Sequence, residues 1–414
     1  MAARVRGRVL RRFAEQYLIS CYQKFARLLE FDRIADTRIP KVGRRMTAGA
    51  APPTTARRRR VERKPVLLLT GLILAAVVVA AIYPLLSRLD SDGPAGPVRL
   101  RATLTVSKFG DWLGPLEFSP DGKTLAALGI VTAYLYDPAT LRRTGIWTVP
   151  DTRHDKPTSL AFGPDGKTLI ISDTGRHSAF VWNLAAEAVT ATLPNPRNAL
   201  IYNTALSPDG RFMAESSDWA GHAYLWNMAT RRYTAVLINL DFGVDPLAFS
   251  PDSATLAVGD ATIGHGKRFG QIALWNIARR TIRASYQTPD HVQVQSVAFS
   301  ADGALLAATG ARSTYLWDVT TGQRAGTLTG PRGTAIRDIA FSPGGRTLAA
   351  IFTNNTAYIW NLRTTKIIAA MPDPGNTEIA SLAYSPDGKT LAIGDYNSHI
   401  FLWDVSQTDP PART

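Results

Sequence analysis

The stretch Leu382–Val405 reads LAYSPDGKTLAIGDYNSHIFLWDV, and its three parts decide the architecture. An apolar run, Leu382–Tyr384, leads into Ser385-Pro386-Asp387-Gly388. Proline presets one dihedral of such a turn, and glycine accepts the positive φ that completes it. Leu391 and Ile393 then alternate with small residues at strand spacing. Ile400-Phe401-Leu402-Trp403 is rich in β-formers and ends on Asp404. The stretch predicts three short strands in a meander.

The same unit recurs backwards along the chain. Seven turns align, starting at Ser119, Gly163, Ser207, Ser250, Ser300, Ser342 and Ser385. The closing pairs are Tyr136-Asp137, Trp182-Asn183, Trp226-Asn227, Trp275-Asn276, Trp317-Asp318, Trp360-Asn361 and Trp403-Asp404. Successive closing aromatics lie 42 to 49 residues apart. Between copies runs a fourth strand-like segment, such as Val189–Leu193 (VTATL) or Lys366–Met371 (KIIAAM).

Four short strands per unit of about 40–45 residues, closing on Trp-Asp, resembles the WD40-repeat family. The resemblance covers residues 98–414 and implies an all-β fold: a seven-bladed β-propeller of four-stranded antiparallel blades, strands a to d running outward from a central channel. One blade has two faces to bury, and its neighbours cover them. The closing aromatics are therefore expected between blades and not in ligand boxes. After Trp403-Asp404 only VSQTDPPART remains, so the last unit lacks a fourth strand. Val98–Thr105 (VRLRATLT) is similar to Gln323–Thr329 (QRAGTLT). It is expected to pair with the strand ending in Trp403 and close the ring, leaving no exposed sheet edge there. In this family a Gly-His pair before the innermost strand often bonds an Asp in the b–c turn. The turn Asp is present as Asp173, Asp218, Asp260 and Asp395, but the Gly-His pair is missing. The resemblance thus implies an incomplete polar network.

Charge separates the chain into parts. The formal net charge is +14, yet residues 1–64 hold 18 Lys/Arg against 5 Asp/Glu, and residues 65–414 hold 29 against 28. A near-neutral body lacks the footprint that phosphate-backbone binding needs, so no nucleic-acid partner is expected. Cys21 is the only cysteine, which excludes an internal disulfide and any cysteine-based zinc site.

Within the basic tail, residues 8–31 carry Leu10, Phe13, Tyr17, Leu18, Phe25 and Leu28 at helical spacing. Such a basic amphipathic helix suits an anionic membrane surface or a partner groove, or is a helix with no such role. A start at Met46 would remove it. Val66–Leu86 is an uncharged run of 21 residues, long enough to cross a hydrocarbon core at 1.5 Å per residue. It predicts a transmembrane helix over 65–87, followed by a tether over 88–97. The cluster Arg57–Lys64 predicts a cytoplasmic N-terminus and a propeller outside the cell or in the periplasm.

Chemistry is sparse. There is no G-x-S-x-G, no HExxH and no phosphate-cradling glycine loop between strand and helix. His177, His222 and His399 fall just before strand c in three units, a repetition expected of solvated turn residues. The innermost strands, such as SLAF and SVAF, are expected to put few charged groups into the channel. No catalytic residue, metal or cofactor is implied. What remains is recognition on the face bearing the b–c and d–a loops. Candidates there are Trp112, Asp218, Trp219, His222, Lys267, Arg268, Tyr396 and His399. Aromatic anchors are typical of interface hot spots. The expected function is a non-catalytic scaffold binding a protein or external ligand; the alternative is an enzyme or sensor with a small molecule in the channel.

Overall fold

The computed structural model describes residues 98–106, 112–149, 157–217, 222–237, 244–260 and 270–408. Strand β1 (Arg99–Thr105) comes first, then blade one: β2 (Leu116–Phe118), β3 (Leu125–Leu128), β4 (Thr132–Asp137) and β5 (Arg142–Thr148). Blade two holds β6 (Pro157–Phe162), β7 (Thr168–Asp173), β8 (Ser178–Asn183) and β9 (Ala188–Pro194). Blade three holds β10 (Ile201–Leu206), β11 (Phe212–Ser217), β12 (His222–Asn227) and β13 (Arg232–Val236). Blade four holds β14 (Val244–Phe249), β15 (Thr255–Asp260), β16 (Gln271–Asn276) and β17 (Thr281–Gln287). Blade five holds β18 (Val297–Phe299), β19 (Leu305–Thr309), β20 (Ser313–Asp318) and β21 (Arg324–Thr329). Blade six holds β22 (Ile336–Phe341), β23 (Thr347–Phe352), β24 (Thr356–Asn361) and β25 (Lys366–Pro372). Blade seven holds β26 (Ile379–Tyr384), β27 (Thr390–Asp395) and β28 (His399–Asp404).

The seventh sheet has the order β1-β28-β27-β26, so its outermost strand comes from the far end of the propeller sequence. Arg99 pairs with Asp404 and Thr105 with His399. Ring closure is therefore as the orphaned last repeat implied.

Seven apolar clusters fill the spaces between blades. Each joins a residue near the end of one blade's outermost strand to the closing aromatic of the next. Leu104 shares a cluster with Tyr136, Leu193 with Trp226, and Leu328 with Trp360. In two interfaces the partner is aromatic: Trp147 stacks on Trp182 at 5.4 Å and 7°, and Tyr286 on Trp317 at 5.5 Å and 11°. The closing aromatics are packed between blades, as expected. Trp147 extends that set beyond the residues the repeat pattern singles out.

The SPDG-type turns form a second ring. Each glycine has φ near +70°, a region that costs other residues strain. The open side of Gly122 faces Pro386 of blade seven, Gly166 faces Pro120, and Gly388 faces Pro343. Gly345 faces nothing within 4 Å, because blade five carries Ala301 in place of the proline.

The expected helix at 8–31, the span at 65–87 and the tether at 88–97 lie outside the described residues. Among the described residues no helix is long and apolar enough to cross a membrane.

Candidate functional site

The chain enters blade one through Trp112, Leu113, Gly114 and Pro115, at the end of the channel that carries the b–c turns. Leu113 is fully buried. The Gly114 N–H donates to the Leu128 carbonyl at 2.7 Å, and its own carbonyl accepts from Ser381 Oγ on β26 at 2.8 Å. This pinned segment holds the Trp112 ring at the rim with 57% of its surface exposed. The ring centroid lies 5.5 Å from that of Tyr396, in the b–c turn of blade seven, with the planes at 51°. Two of the candidates predicted from sequence are thereby brought together.

Beside the pair opens a cavity of about 400 Å³, lined by Tyr396, Ser159, Asn203, Gln295, Arg337 and Asp338 among others. Arg337 forms an ion pair with Glu378. Asp338 accepts hydrogen bonds from Ser296 Oγ and from the Ile339 N–H, each at 2.8 Å. Burial among the inner strands raises its pKa.

The charged residues Glu117, Arg337 and Asp338 lie on innermost strands, and polar side chains accompany them. The physical reason is the free edge of each innermost strand, which has no strand partner on the channel side. Its exposed groups are met by side chains of the neighbouring blade. Glu117 on β2 accepts from the Phe162 N–H at 3.0 Å, and Ser159 Oγ accepts from the Thr204 N–H at 3.1 Å. Thr158 Oγ1 donates to the Ile201 carbonyl at 2.9 Å. Glu117 keeps slight solvent contact but sits deep in protein, and burial pushes its carboxyl up to about 8.

His177 lies in its turn as expected, with φ near +50°, but the other two histidines depart from expectation. His222 is not a solvated turn residue: it begins β12 with 8% exposure, and its ring stacks 6.1 Å from that of Tyr224. Its Nε2 lies 3.1 Å from an Arg197 guanidinium nitrogen. His399 begins β28, and its Nδ1 lies 3.0 Å from Oδ2 of Asp395. Asp395 also accepts from the N–H groups of Asn397 and His399, at 3.0 and 2.7 Å. The b–c turn of blade seven is thus closed by its own histidine in place of a Gly-His pair. In blade five, which has no turn Asp, Asp290 from the preceding d–a loop accepts from the Ala311 N–H at 2.8 Å. Among the described residues the network stays incomplete, since Oδ1 of Asp373 is buried without a hydrogen-bond partner.

Asp218, Trp219, Lys267 and Arg268 lie outside the described residues. Among the described residues no group of three or more His, Cys, Asp and Glu is placed to hold a metal ion.

Three segments of the chain match the family model "WD domain, G-beta repeat": residues 283–318, 322–361 and 368–404. They make up about a quarter of the chain. The first match starts in β17 and ends at the last residue of β20. One sequence repeat therefore takes strand d of one blade and strands a, b and c of the next, the same offset that leaves β28 to be completed by β1. No curated protein matches the chain.

Proposed function

We propose that the protein is a non-catalytic recognition module, displayed outside the cell on a single membrane anchor and binding a protein partner at the b–c face. WD40 repeats in a seven-bladed ring are typically interaction scaffolds, and the last three repeats carry that pattern. The observation that carries the choice of face is the Trp112–Tyr396 pair: a large, rigid aromatic more than half exposed, fixed by a buried Leu113 and two hydrogen bonds to the Gly114 backbone. An exposed tryptophan on a preorganised support suits a partner's pocket, because little conformational entropy is lost on binding. Trp219, Lys267 and Arg268 extend the proposed face by sequence position, with His222 and His399 at its c-strand starts. Val66–Leu86 supports the anchor through its length and lack of charge.

The test is a pull-down with the propeller, comparing wild type with Trp112→Ala plus Tyr396→Ala and with Trp219→Ala. Loss of a specific partner on the double variant, with an unchanged melting curve, supports the face; an unchanged set of partners removes it. A reporter fused after Thr414 tests orientation, and activity only inside the cell would contradict it.

A second reading has one observation in its favour. Polar side chains from several blades converge on the cavity at the channel mouth, which has the size of a small-molecule site. A small polar ligand bound there would contact Asn203, Gln295 and Arg337.

A further inference from the structure

We propose that the face opposite the Trp112–Tyr396 pair rests on an anionic phospholipid surface. The pairing of Leu125 with Tyr136 places the a–b and c–d turns at one end of the blade, and contacts between a–b turns of neighbouring blades, with the Asp209 N–H bond to Ser253 Oγ, put all seven on one face. These turns, with the outermost-strand residues that follow them, hold 17 Lys/Arg against 10 Asp/Glu. The rest of 98–414 holds 11 against 16. A body that is nearly neutral as a whole is thus strongly polarised.

Both signs reach solvent, but the acids are engaged within their turns and leave a basic excess. Nine of the ten acids are Asp residues bonded to N–H or hydroxyl groups within their own turns. Three of them, Asp121, Asp209 and Asp387, also form ion pairs with Lys123, Arg211 and Lys389 on the same turns. The cations, among them Arg142, Arg143, Arg231, Arg232, Arg279 and Arg280, are exposed. Arginine guanidinium groups match phosphate oxygens with two parallel donors.

What selects a bilayer as the occupant is the path of the chain. Strand β1 starts on this face, with Arg99 opposite Asp404, and the uncharged run Val66–Leu86 ends 11 residues before Val98. Those 11 residues span at most about 35–40 Å. A tether of that reach lets the basic face touch the headgroups, where attraction acts within a Debye length of about 8–10 Å. This inference rests on the anchor reading for its orientation, but it is tested without the anchor. The ring closes within 98–408 and its apolar clusters are drawn from those residues, so the propeller is self-contained.

The experiment is flotation of residues 88–414 with vesicles of phosphatidylcholine alone or of phosphatidylcholine with phosphatidylglycerol. Flotation is expected with the anionic vesicles only, and is expected to fall steeply with added salt. The variant Arg142→Glu, Arg143→Glu, Arg279→Glu, Arg280→Glu should lose it while keeping its melting transition. Arg312→Glu with Arg332→Glu, on the opposite face, should keep it. No flotation of the wild type at low salt, or equal loss in both variants, overturns the proposal. So does capture of duplex DNA without capture of anionic vesicles, which would assign the face to nucleic acid. Alkaline carbonate extraction of the full chain tests the anchor separately: release into the supernatant would sink that reading and leave the flotation result standing.

Discussion

Trp226 Nε1 donates a 3.0 Å hydrogen bond to Oε2 of Glu215, a carboxyl with no solvent exposure in the wall between blades two and three. The equivalent place on the second strand of other blades is apolar: Ile171 in blade two, Val258 in blade four, Ile393 in blade seven. Burial pushes Glu215 from its ordinary 4.5 up to about 8, with the bond from Trp226 opposing the shift. The carboxyl is therefore held mostly in its protonated form near neutral pH.

Stability should follow from that. A carboxyl raised in the folded state contributes fully below its unfolded value and loses the contribution as pH rises through its folded value. From about pH 4.5 to about pH 8, Glu215 alone should remove on the order of 4–5 kcal/mol. Denaturation across that range checks this. Glu215→Gln keeps an acceptor for Trp226 and should flatten the slope; an unchanged slope in the variant would assign the pH dependence elsewhere.

The two tryptophans of blade one should behave oppositely. Trp147 is 7% exposed and stacked on Trp182, so Trp147→Ala should cost about 3–5 kcal/mol. Trp112 is 57% exposed, and Trp112→Ala should stay within about 0.5 kcal/mol of wild type. Urea denaturation of the two variants separates them, and equal losses would contradict the assignment of one to the core and the other to recognition.

The ring of turns has one gap, and it should be fillable. Ala301 occupies the position where blade four has Pro251 and blade six has Pro343. Ala301→Pro should stabilise the protein by about 0.4–1 kcal/mol, by restricting the unfolded chain at a turn that already has the required shape. Packing against Gly345 would add to this. A lower melting temperature would show that the blade-five turn differs from its neighbours.

Closure should be essential. Leu104 on β1 is 8% exposed and packs in the cluster containing Tyr136. Leu104→Ala should cost about 2–5 kcal/mol, and removing residues 98–105 should expose the edge of β28 and broaden the unfolding transition. A truncated protein that melts as sharply and at the same temperature as the full propeller would refute the seam.

Much of this fold was legible in the chain because repetition compensates for the weakness of any single strand signal. Ser385–Gly388 means little alone, but seven copies in register specify blades, and the missing strand after Trp403 points back to Val98–Thr105. The candidate site was legible only where chemistry stood out against that pattern: Trp112 and Tyr396, whose rings the structure brings together, occupy places the repeat does not need. What stayed hidden depends on contacts between blades. Trp147 lies in an ordinary outermost strand, and only the neighbouring blade reveals its stack on Trp182. Asp290 serves a turn 21 residues away, in the next blade. Asp338 and Glu117 read as isolated acids in short apolar strands, and their role at the channel edge depends on how adjacent blades are staggered.

Hydrogen–deuterium exchange on the propeller, free and with its captured partner, tests the recognition face most directly. Slowed exchange at 112–116 and 395–399, with the c–d turns at 138–141 and 277–280 unchanged, is the expected result. Slowed exchange confined to the c–d turns, with the Trp112 and Tyr396 segments unaffected, would contradict it.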